Sequence, residues 1–167
     1  MDKVNWGIIG LGNIAQKFLE GFSEVKNARI LGLSSRSLEK LEKFRDKYKI
    51  EKKFCFNDYN DLINCSEVDI IYICLPNTLH YEWIIKCLDK NKKILVEKPV
   101  TINFHQLEEI ERKNVNKIFL AEAFMYRFSP HVKLVVDLIQ NDEIGNIISL
   151  DSSFGINLLT KKKFFFF

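Results

Sequence analysis

Gly10 and Gly12 stand in the stretch GLGNIA (Gly10–Ala15), directly after a short apolar run. Glycine at the first position permits a tight turn, and at the second it lets the backbone approach a pyrophosphate. Ala15 takes the place of a third small residue, where a helix packs close to a strand. The helix that follows presents free N–H groups and partial positive charge to phosphate oxygens. Leu11, Asn13 and Ile14 complete the loop. The same turn can exist as plain structure without a ligand. Its place between a strand and a helix favours a dinucleotide.

The second apolar run tests which dinucleotide. An NAD site normally carries an acid about 20 residues on, to hold the ribose 2′-hydroxyl. Here the run ends LSSRS (Leu33–Ser37), with no acid between Glu24 and Glu39. Ser35 and Arg36 occupy the spot. A hydroxyl and a guanidinium suit a 2′-phosphate, and the guanidinium plane can stack on adenine. The expectation is NADP, with NAD as the alternative. A solvent-facing loop arginine is the plain alternative.

Two further turns carry candidate chemistry. Glu97-Lys98-Pro99 follows the run KILV, and Pro99 restricts Lys98 to extended geometry. A lysine held there can donate a hydrogen bond to a substrate oxygen and polarise it, or tune a neighbouring acid or base. A surface ion pair at a strand end is an equal reading. LPNTLH (Leu75–His80) follows the strongest apolar run, with Leu75, Pro76 and Asn77 leading into a helix. Asn77 and Thr78 suit the free amides at that helix start. His80 falls in the first turn, where a lone histidine is more often structural than catalytic.

Apolar runs and helix-period segments alternate through most of the chain. Strands are expected at Val4–Ile9, Ala28–Ser34, Phe54–Phe56, Val68–Leu75, Lys93–Val96 and Lys117–Ala121. Helices are expected at Asn13–Phe22, Ser37–Tyr48 (capped by Ser37), Asp58–Asn64, Thr78–Asp89 and Asn103–Lys113. Unbroken apolar strands separated by helices imply an α/β fold, a doubly wound parallel sheet covered on both faces. Ligands in such sheets sit beyond the carboxyl ends of the strands, where the three turns fall. After Ala121 the pattern changes: a helix over His131–Gln140, a turn at NDEIGN, then an alternating strand, IISLDSSFGI. That reads as a second domain beginning.

Composition narrows the alternatives. The chain has 167 residues, 47% hydrophobic and 28% charged, with net charge +3. Basic and acidic residues are mixed, which marks solvated helix faces rather than a nucleic-acid patch. No run of about 18 apolar residues exists to span a membrane, and no signal segment opens the chain. Four cysteines without a CxxC pair read as reduced thiols of a cytoplasmic protein. The three histidines have no metal-ligand spacing, so no metal is expected.

GLGNIA, SSRS, LPNTLH, VEKPV and EAFMYRFSP, in this order and spacing, resemble the Gfo/Idh/MocA oxidoreductases. The resemblance runs from Val4 to about Ile156, and is strongest to the branch of NADP-dependent D-xylose dehydrogenases and dimeric dihydrodiol dehydrogenases. It implies a Rossmann domain over residues 1–121 and the start of an α/β substrate domain over 122–160. It implies hydride transfer between NADP(H) and a sugar or related alcohol, in relatives that are homo-oligomers. By position it implies that Gly10–Ile14 hold the pyrophosphate, and Ser35 and Arg36 the 2′-phosphate. Leu75, Pro76, Asn77 and His80 would flank the nicotinamide side. Glu97 and Lys98 would lie at the nicotinamide, with Lys98 catalytic, and Arg127 would contact the cofactor.

Family members are about twice as long. The expectation is therefore a C-terminal domain truncated before the pocket's proton-transferring His or Tyr and its nearby acid. The end of the chain, KKKFFFF (Lys161–Phe167), resembles no family element and reads as an anomalous tail, either a frameshift product or the odd end of a short protein. Two functions stand: an NADP-dependent dehydrogenase weakly active or inactive alone, and a non-catalytic NADP(H)-binding module or remnant. A complete small enzyme of another kind has no YxxxK or Ser-His-Asp arrangement to support it.

Overall fold

Val4–Ile9 forms β1, and in the computed structural model it lies inside a six-stranded parallel sheet. The structure describes residues 3–153 and 155. The chain divides into two units, Met1–Phe124 and Met125–Phe167. In the first unit α1 (Asn13–Gly21) leads to β2 (Ala28–Ser34), then α2 (Leu38–Tyr48) to the short β3 (Cys55–Phe56). After these come α3 (Tyr59–Asn64), β4 (Ile70–Ile73), α4 (Asn77–Asp89), β5 (Lys93–Val96), α5 (Phe104–Lys113) and β6 (Leu120–Glu122). The strand order is β3-β2-β1-β4-β5-β6. It reverses between β1 and β4, and a crevice opens at the carboxyl end of such a pair.

Side-chain alternation divides the core into two layers. Ile8, Leu33 and Tyr72 pack on one face with Ala15 and Leu19 of α1 and Leu41 and Phe44 of α2. Ile9, Leu31, Ile71 and Ile73 face the other way, against α3, α4 and α5. The expected doubly wound parallel sheet is what forms.

The helix starts differ in a way that matters for function. Ser37 caps α2 by accepting the Lys40 N–H at 3.4 Å, as its position predicts. Asp58 caps α3 through the Asn60 N–H (2.8 Å), and Asn103 caps α5 through the Gln106 N–H (3.0 Å). The two helices that leave the central strands β1 and β4 have no such closure. Gly12 and Pro76 occupy their cap positions, and no side chain bonds there. Asn77 and Thr78 therefore do not cap α4; the helix begins at Asn77 itself.

Two expected strands are corrected. Lys117 cannot open a strand, because it adopts φ +49°, the left-handed region. The Asn114 side chain brackets Ile118 instead, accepting its N–H and donating to its carbonyl, both at 2.8 Å, and β6 starts at Leu120. In the second unit a 3-10 turn (Met125–Phe128) precedes α6 (Pro130–Gln140). Residues 147–153 form no strand, because a strand exists only by pairing and they pair with none of the described residues. The tail expected over 161–167 lies outside the described residues.

All four cysteines are free, Cys74 and Cys87 buried and Cys55 and Cys65 half-buried. Burial pushes the Cys87 thiol up to about 12, and that of Cys74 well up. At pH 8 the native chain is expected to expose Cys55 and Cys65 to a disulfide reagent and to protect Cys74 and Cys87 until it unfolds. Four equally fast thiols would contradict this packing.

Candidate functional site

The turn after β1 brings backbone close to backbone at one glycine and leaves open space at the other. Gly10 takes φ +89°, and a Cβ there would lie 2.8 Å from the Cys74 carbonyl oxygen at the end of β4. Its N–H donates to Ser34 O at 3.0 Å, which ties this turn to the end of β2. Gly12 is the reverse case. A Cβ there would meet nothing within 4 Å, so the space over the start of α1 is open. Leu11 is buried beneath the loop, while Asn13 is exposed and Ile14 half-buried at the helix start. Open space above an uncapped helix start, lined by backbone N–H groups, fits a pyrophosphate.

At the end of β2, Ser35 and Arg36 divide in role. Ser35 is buried, and its hydroxyl accepts the Ser37 N–H at 3.2 Å, so it shapes the turn. Arg36 is exposed, its guanidinium carbon 5.9 Å from the centre of the Tyr59 ring, at the outer edge of cation–π range. It lines a groove of about 630 Å³ with Asn57, Asp58, Tyr59, Leu79 and Trp83. Tyr59 meets Trp83 edge-on, ring centres 5.0 Å apart. This groove has aromatic walls, two cations (Arg36 and Lys86) and three carboxylates (Asp58, Asp61 and Glu82).

The turn after β5 is held from three sides. The Tyr72 hydroxyl donates to Glu97. Burial first, then the nearby Cys74 and the Glu97 carboxylate, raises the phenol far above its ordinary range, so it stays a donor. The Val100 N–H donates to Glu122 Oε1 at 2.9 Å. His80 is fully buried, with Nδ1 2.7 Å from Pro99 O and Nε2 2.8 Å from Leu75 O. The Lys98–Pro99 peptide bond is cis. Lys98 itself is exposed.

The structure thus joins three of the expected loops. The first touches the second where Gly10 meets Cys74 and Leu75. The second is tied to the third through His80. Pro76 and Asn77 are exposed at the start of α4. Arg127 lies exposed in the 3-10 turn of the second unit. Tyr72 and Glu122 are additions that the sequence reading passed over. The signal for Tyr72 was there, a single phenol in the otherwise aliphatic strand IIYI. Among the described residues no group of three His, Cys, Asp or Glu could hold a metal ion, and no helix is long and apolar enough to cross a membrane.

Comparison with known proteins bears on this geometry. Residues 4–117 match the Gfo/Idh/MocA family, described as an oxidoreductase family with an NAD-binding Rossmann fold. The chain is 29% identical over 156 residues to trans-1,2-dihydrobenzene-1,2-diol dehydrogenase of Xenopus tropicalis, covering 92% of this chain and 47% of the relative. It is 32% identical over 163 residues to glucose-6-phosphate 3-dehydrogenase of Bacillus subtilis (strain 168), covering 95% and 44%. A variant of a 3-ketoreductase from Actinomadura kijaniata, solved with TDP-benzene and NADP, superposes with TM-score 0.77 at 27% identity, covering 87% of this chain and 46% of that one. Scyllo-inositol dehydrogenase from Lactobacillus casei, solved with NAD(H) and scyllo-inositol, superposes with TM-score 0.80 at 20% identity, a likeness of fold. The chain spans somewhat less than half the length of these relatives. With two thirds of its residues inside the family match and a parallel sheet in the same superposition, this chain belongs to the Gfo/Idh/MocA oxidoreductases and carries their NAD(P)-binding Rossmann domain.

Proposed function

We propose that this chain binds NADP(H) in preference to NAD(H), and that its reaction passes a hydride between NADP(H) and a sugar or related alcohol. One observation carries the reading. The only two helices leaving strands β1 to β5 without a side-chain cap are α1 and α4, the pair that flanks the reversal of strand order. Their free N–H groups are left for a ligand. The basic end of β2, with Arg36 in place of an acid, supports the phosphorylated cofactor. So does a relative solved with NADP, and a relative named glucose-6-phosphate 3-dehydrogenase supports the substrate class.

In this proposal Gly10, Leu11, Gly12, Asn13 and Ile14 hold the pyrophosphate, and Arg36 holds the 2′-phosphate from the turn that Ser35 shapes. Leu75, Pro76, Asn77 and His80 border the nicotinamide. The dinucleotide, when bound, supplies or accepts the hydride. Lys98 is the proposed catalytic residue, donating a hydrogen bond to the substrate oxygen and polarising it. Glu97, fixed by Tyr72, lies beside it. Arg127 is proposed as a further cofactor contact. Four free thiols support a reducing, cytoplasmic setting.

Ligand linkage tests the reading. NADPH at 100 times its Kd adds about 2.7 kcal/mol of stability. The unfolding midpoint is expected to rise by several degrees with NADPH and by less with equal NADH. No rise with either would refute the proposal. Turnover is a separate matter. The chain spans less than half of each relative, so that alone, with NADP and a panel of sugars and alcohols, it is expected to turn over weakly or not at all. A robust rate would overturn that expectation.

A further inference from the structure

We propose that His80 is a positioning residue that couples the seating of the nicotinamide half of the dinucleotide to the placement of Lys98. This rests on the NADP(H) reading above. His80 leaves the first turn of α4 and points into the protein, with no exposed surface. Its two ring nitrogens reach two different loops, Leu75 O after β4 at 2.8 Å and Pro99 O after β5 at 2.7 Å. A ring with hydrogen on both nitrogens donates to both carbonyls, while either neutral tautomer donates to one. The imidazole is rigid and planar, so it fixes the separation of the two loops as a flexible side chain would not.

The rest of the Lys98 turn is held in agreement with this. Glu122 Oε1 accepts the Val100 N–H at 2.9 Å, and Tyr72 donates to Glu97. Backbone on each side of Lys98 is tied, and the lysine side chain is left exposed. A ligand pressing on the Leu75–Asn77 turn acts through the imidazole on the carbonyl next to Lys98. Buried ring nitrogens need partners wherever they lie, and here the partners are carbonyls of two separate loops.

The test uses the full chain, with NADPH and with adenosine 2′,5′-bisphosphate, which carries only the adenosine half. His80→Leu removes both bonds. It is expected to raise the Kd for NADPH about tenfold, the size of one lost polar bond. The Kd for the bisphosphate is expected to stay within about twofold. Labelling of Lys98 by an amine reagent, read by mass spectrometry, is expected to slow on NADPH binding in the wild type and to lose that response in the variant. His80→Gln, which keeps N–H donors, recovers part of both. Glu122→Ala loosens the same turn from the other side and gives the same NADPH-only loss, whether or not His80→Leu folds. Equal losses for both ligands, or an unchanged Lys98 response, would overturn the inference and leave the cofactor reading standing. A wild-type chain that binds neither ligand would overturn the cofactor reading and this inference with it.

Discussion

Arg36→Ala is expected to raise the Kd for NADPH by about 10- to 100-fold, the worth of a charge-assisted hydrogen bond to phosphate, and to move NADH by no more than about threefold. The contrast follows from where charge sits at the end of β2. The residues that follow the strand are Ser35, Arg36 and Ser37, with no carboxylate to hold a ribose hydroxyl. Ser35 is buried and occupied with the Ser37 N–H, and Ser37 caps α2. Arg36 is therefore the exposed cation of that turn, and its loose contact with Tyr59 leaves it able to reorient. Arg36→Lys keeps the charge and loses the planar fork, so an intermediate loss is expected. Equal losses for the two dinucleotides, measured by calorimetry, would mean the arginine is a structural loop residue.

The two phosphate-loop glycines are expected to separate folding from binding. At Gly10 a methyl group meets backbone, the Cys74 carbonyl, which cannot swing aside, and φ +89° strains any side chain. The cost adds to about 3 kcal/mol, and in a chain of this size lowers the unfolding midpoint by about 6–12 °C. The strain also falls on the bonds joining β1 to its neighbours, Gly10 N–H to Ser34 O and Cys74 N–H to Ile9 O. Gly12 has ordinary extended geometry, φ −99° and ψ −169°, and open space above it. Gly12→Ala should thus cost only about 1 kcal/mol, the penalty for alanine at a helix cap position. It should still weaken NADPH binding about tenfold or more, because its methyl group enters the open space proposed for the pyrophosphate. Thermal unfolding beside a binding titration reads both effects. If Gly12→Ala binds NADPH as the wild type does, the pyrophosphate is not held at the start of α1.

Much of this was legible in the residues. GLGNIA between an apolar run and a helix marked the first turn, and LSSRS marked the missing acid. The alternation of strands and helices gave the parallel sheet, because buried parallel strands leave unbroken apolar runs. What was not legible depends on register. Tyr72 reaches Glu97 because β4 pairs in parallel with β5, setting Tyr72 opposite Leu95 and Ile73 opposite Val96. No local pattern links residues 25 apart. His80 looked like an ordinary core histidine until its second nitrogen was found on Pro99, 19 residues away. The start of β6 lies later than expected because Lys117 carries no sign of its left-handed backbone, and residues 147–153 of the other expected strand have no partner among the described residues. The missing caps of α1 and α4 were hidden for the opposite reason. Asn77 and Thr78 are good capping types, but in the fold the cap position falls on Pro76.

The most direct test of the central claim is a titration of the purified chain with NADPH and with NADH, following tryptophan fluorescence. Trp83 lines the Arg36 groove, while the half-buried Trp6 packs against Phe18 and Phe22, so one reporter sits in that groove and the other away from it. The account predicts saturable binding of both ligands, tighter for NADPH. Saturation with neither, or a preference for NADH, would contradict it.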